Sequence, residues 1–309
     1  MMSATHQIGR PQEAMTRRAL VLGSGGNAAI AWEIGIIAGM ADAGIDLRDA
    51  DLFVGTSAGS IVAAQITSGH SLEELFQLQV DPRLQVDEPA PPVDFGRWRA
   101  EIVRAKEASE SSTDFLQRVG SLTPFVPTSP QFDRRNLIAR RLPARAWPEQ
   151  RMLIVAVDAD SGERCVFDRT SDVDLVDAVA ASCAVAGIWP AIRINGRRYI
   201  DGGLYSIENG DLAADTERVL ILTLPARVPP LCVAPLDAAM ETLRTHRAQV
   251  EVVHPDEASQ AAFASVGGNL LDPSVRERAA RAGREQGREV AGLHVASLWQ
   301  RPHNVHDAF

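Results

Sequence analysis

The sequence predicts an α/β fold in which a mostly parallel sheet is covered by helices, and three observations predict it. The short apolar runs Ala19-Leu20-Val21-Leu22 and Leu52-Phe53-Val54 each end in a glycine-bearing turn. Each then leads into a helix-like run, Ala29 to Ala43 in the first case and Ile61 to about Thr67 in the second. Strand, helix, strand, helix within about 50 residues is the pattern of parallel strands joined by helical crossovers. The third observation is Val219 to Leu224, a run apolar but for Thr223 and stopped by Pro225, which reads as a buried strand.

The other elements follow in chain order. Residues 1–16 are polar, lack apolar periodicity and are expected to be a disordered tail. The glycine-rich stretch Gly23-Ser24-Gly25-Gly26-Asn27 closes the first strand and opens the first helix. Between residues 70 and 130, Pro82, Pro89, Pro91, Pro92, Pro124, Pro127 and Pro130 punctuate short amphipathic pieces such as Arg97 to Glu107, so this region reads as an insertion or cap. Met152 to Val157 and Arg164 to Phe167 flank the turn Asp160-Ser161-Gly162. Leu175 to Ala186 is a small-residue helix closed by Gly187 and Pro190. Ile192 to Ile194 and Arg197 to Ile200 surround Asn195-Gly196, the dipeptide best suited to a tight primed hairpin turn. Past Pro235 the chain reads as long helices with a polar C-terminal tail at 301–309, so the main domain spans 17–300.

Composition narrows the function classes. The 309 residues are 45% hydrophobic and 23% charged, ordinary for a globular protein. A net charge of -9 from 31 basic and 40 acidic residues, without a long basic block, argues against nucleic acid as a partner. The arginines of Arg134-Arg135 and of Arg276 to Arg288 alternate with polar residues and read as solvated helix faces. Cys165, Cys183 and Cys232 are an odd count without CxxC spacing, which suggests neither a disulfide framework nor a zinc site and points to a reducing cytoplasm. His303 and His306 have metal-ligand spacing but no third ligand. No stretch has the ~18 to 20 uninterrupted apolar residues of a membrane span, so any membrane contact is expected to be peripheral.

The chemistry centres on Gly55-Thr56-Ser57-Ala58-Gly59. Between a strand and a helix, this pentapeptide reads as a nucleophile elbow that holds the Ser57 hydroxyl out to substrate and points to acyl transfer. A serine needs a base for its proton and hydrogen-bond donors for the oxyanion that forms on attack. Gly25 and Gly26, at a strand end and helix start, leave backbone N–H groups open for that purpose. The competing reading is a dinucleotide-binding loop, but Gly23-x-Gly25-x-x ends in Ala28 where that fingerprint needs glycine. For the base, the usual order after the serine offers His246, His254 and His294, none at a strand-to-loop junction. Asp201 does sit at one, delivered by the hairpin into Gly202-Gly203, where its alternative role is a turn former. Trp32 and Trp189 read as packing residues near the site, and Cys183 as a buried structural thiol.

Leu22 to Trp32, Gly55 to Gly59, Ala181 to Pro190 (Ala-Ser-Cys-Ala-Val-Ala-Gly-Ile-Trp-Pro) and Asp201-Gly202-Gly203 together resemble the patatin-like phospholipases, across roughly residues 19 to 225. The resemblance implies a three-layer α/β/α fold and a serine acyl-ester hydrolase acting on lipids, with neither metal nor organic cofactor. It implies a Ser-Asp dyad without histidine, Ser57 as nucleophile and Asp201 as proton acceptor, and an oxyanion hole at Gly25 and Gly26. The sequence departs from the family pattern where an Arg or Lys usually follows these glycines: Asn27-Ala28-Ala29 stands there instead. Two alternatives stay open, a Ser-His-Asp esterase and a lipid-binding module without turnover. The number of chains that assemble is not set by the sequence.

Overall fold

The computed structural model describes residues 17–88, 90–91, 93–122, 134–225 and 231–299, with residues 293 and 294 described by their backbone alone. The tails expected at 1–16 and 301–309, with His303 and His306, lie outside the described residues, as do Pro89, Pro92, Pro124, Pro127 and Pro130.

In chain order the elements begin with β1 (Arg18–Leu22), α1 (Gly26–Asp42), β2 (Leu52–Thr56) and α2 (Ala58–Ile66). There follow α3 (Leu72–Val80), α4 (Phe95–Glu107), α5 (Ser112–Gly120) and α6 (Arg134–Arg141). The second half runs β3 (Arg151–Asp158), β4 (Arg164–Phe167), α7 (Leu175–Ser182), β5 (Ile192–Ile194), β6 (Arg197–Asp201) and β7 (Arg218–Leu222). It closes with α8 (Leu236–Thr245), β8 (Gln249–Val253), α9 (Glu257–Ala264), α10 (Arg276–Val290) and α11 (Ala296–Trp299).

The strands form one sheet in the order β5-β6-β3-β2-β1-β7-β8, with β4 paired to β3 off this path. The pairs from β3 through β2, β1 and β7 to β8 are parallel, and β3 with β4, β3 with β6 and β5 with β6 are antiparallel. The sheet is therefore mixed and mostly parallel. Alternation along the strands divides its side chains between two apolar layers. Leu20, Leu22, Phe53 and Ile154 point into a core filled by α1, α2, α3, α6, α7 and α10. Ala19, Val21, Leu52 and Val54 point the other way, where Leu243 of α8 covers them. On that second face Val157 and Ile200 meet Ile102 of α4 and Phe115 and Val119 of α5. The result is the three-layer α/β/α arrangement.

Asn195 and Gly196 both have positive φ, 49° and 81°, as the primed hairpin turn requires. Three sequence expectations change. The helix expected over Leu175 to Ala186 ends at Ser182. The stretch after Pro235 is not all helix: Gln249–Val253 forms the edge strand β8, whose residues at 250–252 are only half-buried and so lack a continuous apolar signal. The arginines at 134 and 276 are not on solvated faces but buried. For Arg276 the cause is close packing of α10 on α1. A Cβ on Gly35 would collide with the Ala280 carbonyl and one on Gly39 with the Arg284 carbonyl, so these helices touch backbone to backbone and the start of α10 is drawn inward. The later Arg284 and Arg288 stay at the rim, paired with Asp42 at 2.8 and 2.7 Å.

Candidate active site

Strand β2 hands the chain directly to Ser57, which precedes α2 with φ 52° and ψ -113°. A positive φ costs a β-carbon-bearing residue about 1–3 kcal/mol, so the surroundings must enforce it. They do so through the backbone of Ser57. Its N–H donates to Ser182 Oγ at 2.8 Å, and Ser182 Oγ donates to the Val155 carbonyl at 2.6 Å. Its carbonyl accepts from Ser60 Oγ at 2.6 Å and from Cys183 Sγ at 3.2 Å. The flanking glycines are needed for space: a Cβ on Gly59 would collide with the Leu22 carbonyl, and one on Gly55 would lie 2.7 Å from Ser60 Cα. Gly59 N–H also donates to Gly23 O at 3.0 Å, which ties the turn to the glycine-rich loop.

Asp201 arrives from the opposite side of β3. As the last residue of β6 it pairs with Ala156, and its N–H donates to Ala184 O at 2.9 Å. Its Oδ1 accepts from Gly203 N–H at 2.8 Å. Gly202 is fixed by proximity to β3, since a Cβ there would strike the Val155 carbonyl. Asp201 is 5% exposed and Ser57 7%. Burial pushes the Asp201 carboxyl up to about 6; the neighbouring Ser57 side chain, the Gly203 N–H and the charge of Arg134 pull it the other way. A carboxyl poised there can take and return a proton near neutral pH.

Ser57 and Asp201 share a cavity of about 240 Å³ with Gly25, Gly26 and Gly203. Most of its remaining lining is apolar, including Phe95 and Trp98 of α4, Ile188, Leu204 and Leu270. Trp98 is anchored by its Nε1, which donates to Ala186 O at 2.9 Å. Such a trough suits an acyl chain. Gly25 and Gly26 stand at the N-terminus of α1, where the first amides have no partner within the helix. A Cβ on Gly25 would lie 2.7 Å from Ala29 Cβ and 2.5 Å from Leu224 Cδ1. Gly25→Val is therefore expected to twist this loop and cost about 3 kcal/mol of transition-state stabilisation, mainly in kcat. Steady-state kinetics on a short-chain ester, with circular dichroism to confirm folding, measures this.

The structure thus brings together Ser57, Asp201, Gly25, Gly26 and the flanking Gly23, Gly55, Gly59, Gly202 and Gly203. The described histidines lie elsewhere. His246 is exposed at the end of α8 with Nδ1 2.9 Å from Thr242 O, His254 is exposed with Nδ1 3.1 Å from Thr223 O, and neither lines the cavity. The side chain of His294 lies outside the described residues. Trp32 is fully buried, its Nε1 donating to Gln286 Oε1 at 2.8 Å, and Trp189 lies under the Arg134 guanidinium at 4.5 Å. Cys183 is a buried thiol whose pKa burial pushes up to about 11.

Sequence reasoning missed three contributors. Ser182 holds the Ser57 amide, and a serine inside a small-residue helix was the available signal. Arg134 acts on Asp201 through its charge, and nothing in its arginine-rich context distinguishes it. Glu33 of α1, fully buried, accepts from Gly23 N–H at 3.0 Å and holds the glycine loop from behind; an acidic residue amid apolar neighbours was its signal.

With this geometry in view, comparison by family decides the kinship. Residues 20–209 match the family described as patatin-like phospholipase. The chain belongs to that family. No curated protein matches it in sequence. Among solved structures, VipD from Legionella pneumophila is similar at 13% identity over 90% of this chain and 67% of VipD, with a TM-score of 0.44. The type III effector ExoU is similar at 14% identity over 90% of this chain and 53% of ExoU, with a TM-score of 0.41. Full-length ExoU in complex with SpcU, from Pseudomonas aeruginosa, gives 18% identity over 93% of this chain and 53% of that one, with a TM-score of 0.36. The patatin-like chain described here thus spans about half the length of ExoU.

Proposed function

We propose that this patatin-like protein is a serine acyl-ester hydrolase of lipids, of the phospholipase A or lipid acyl hydrolase type, working through Ser57 and Asp201. The observation that carries the reading is the meeting of a strained serine with a buried, proton-hungry aspartate in one apolar trough. Asp201 accepts the Ser57 hydroxyl proton as Oγ attacks the ester carbonyl, and the N–H groups at Gly25 and Gly26 receive the oxyanion. Collapse of the tetrahedral intermediate breaks the bond to the alcohol, which leaves with the proton from Asp201. A water, deprotonated by Asp201, then attacks the acyl-enzyme; the bond to Ser57 Oγ breaks, Oγ takes the proton back from Asp201, and the fatty acid is released. Neither metal nor organic cofactor enters these steps.

Substrate is met at a membrane surface in this reading. No helix among the described residues is long and apolar enough to cross a membrane, and Phe95 and Trp98, which line the acyl trough, belong to the segment read from the sequence as a cap. The protein is expected to act from the cytoplasmic side. A panel of p-nitrophenyl esters tests the reading: kcat/KM should rise with chain length as methylenes fill the trough, by about fourfold for each well-buried methylene. A flat profile, or no turnover with any ester, contradicts it.

A further inference from the structure

A second cavity, about 20 Å³, also touches Ser57 and is lined by Gly26, Asn27, Glu88, Arg134, Arg141 and Trp189 among others. That volume takes one water or one oxygen of a larger group. Its walls are unusually charged. Arg134 and Arg141 are each 8% exposed, and Arg276, behind Asn27, is 4% exposed. Arg141 and Arg276 each donate Nη2 to the same Asn27 Oδ1 at 2.8 Å, so two guanidinium groups converge on one side chain. The Nε atoms of Arg134, Arg141 and Arg276 have no hydrogen-bond partner among the described residues. Glu88 is the acidic side chain in this cavity, ion-paired with both Arg134 and Arg141. The charge of Asp201 also acts on Arg134, yet among the described residues three cations still outnumber two anions. Burial, with Arg276 beside it, pulls the pKa of Arg141 well down, and burial alone pulls that of Arg276 down to about 10.

Buried positive charge in excess is costly unless an anion completes it. We infer that this cavity is a phosphate subsite built from Arg134 and Arg141, with Arg276 behind Asn27, and that the Glu88 carboxylate is its internal, displaceable occupant. Resting on the hydrolase reading above, the phosphate is that of the lipid headgroup, held beside the ester that Ser57 attacks. The displacement is local: Glu88 lies in the connection between α3 and α4, outside any helix or strand, so its withdrawal breaks no helical or sheet hydrogen bond.

The test compares kcat/KM on phosphatidylglycerol and on diacylglycerol with the same acyl chains in the same detergent micelles, so that the headgroup is the difference. Arg141→Gln should lower the phospholipid-to-diacylglycerol ratio about tenfold or more, the loss of one charge-assisted contact, and Glu88→Gln should raise it about threefold. A ratio within about twofold of wild type in both folded variants overturns the subsite. Thermal melting supplies a readout without turnover and serves if Arg141→Gln fails to fold. Glycerophosphate at constant ionic strength should raise the melting temperature of Ser57→Ala, and raise it further when Glu88→Gln is added. No rise in either protein overturns the inference while leaving ester hydrolysis untouched. Inorganic phosphate run in parallel separates the sources: an equal rise with an unchanged substrate ratio means a free-phosphate site and overturns the headgroup assignment.

Discussion

Ser57→Ala is expected to cut ester turnover by at least about four orders of magnitude, the scale on which loss of a nucleophile acts. The same change should abolish labelling by a fluorophosphonate. The fold should persist, because the contacts that hold the elbow use the Ser57 backbone: its N–H on Ser182, its carbonyl under Ser60 and Cys183. Alanine keeps all three. Circular dichroism and thermal melting check the fold, and rate measurement on a short-chain ester checks the loss. Wild-type turnover in a folded Ser57→Ala protein contradicts the proposed mechanism.

Asp201→Asn is expected to lower kcat/KM by about a hundredfold or more, since the amide keeps the shape but accepts no proton. In the wild type, kcat/KM should climb as pH passes through about 6, where the Asp201 carboxyl ionises. Stability should move the opposite way. The folded-state pKa stands above the usual 3.8, so the buried carboxyl is most favourable when neutral. Its contribution is full below about pH 3.8, falls as pH rises through about 6 and is flat beyond. The shift corresponds to about 3 kcal/mol at most between those limits. Asp201→Asn removes the buried charge, so its melting temperature should gain on the wild type between pH 4 and pH 8. A gain that shrinks with rising pH would show that burial does not govern this carboxyl.

Much of this was legible in the residues because the signals are local. A strand that ends in Gly-x-Ser-x-Gly leaves little freedom, and the structure shows why: at Gly59 there is no room for a Cβ beside the Leu22 carbonyl. Asn195-Gly196 fixed the hairpin that carries Asp201, and with it the residue's arrival beside β3. The parts that escaped depend on distant partners. β8 is half-buried and its valines alternate with Glu251 over only five residues, and it is paired as a strand along the edge that β7 offers. Arg134 and Arg276 have the local look of solvated residues but are buried by parts of the chain far away in sequence, Arg134 against Trp189 and Glu88 and Arg276 where α10 packs on α1 through facing glycines. Charge patterning read along one helix cannot see the neighbour that covers it.

The most direct test of a Ser57–Asp201 dyad is the rate of fluorophosphonate labelling as a function of pH, with the adduct mapped by mass spectrometry. The account predicts a single adduct, on the peptide that carries Ser57, forming faster as pH rises through about 6 in the wild type and hardly at all in Asp201→Asn. An adduct on another serine, or equal labelling rates in the wild type and Asp201→Asn, would contradict it.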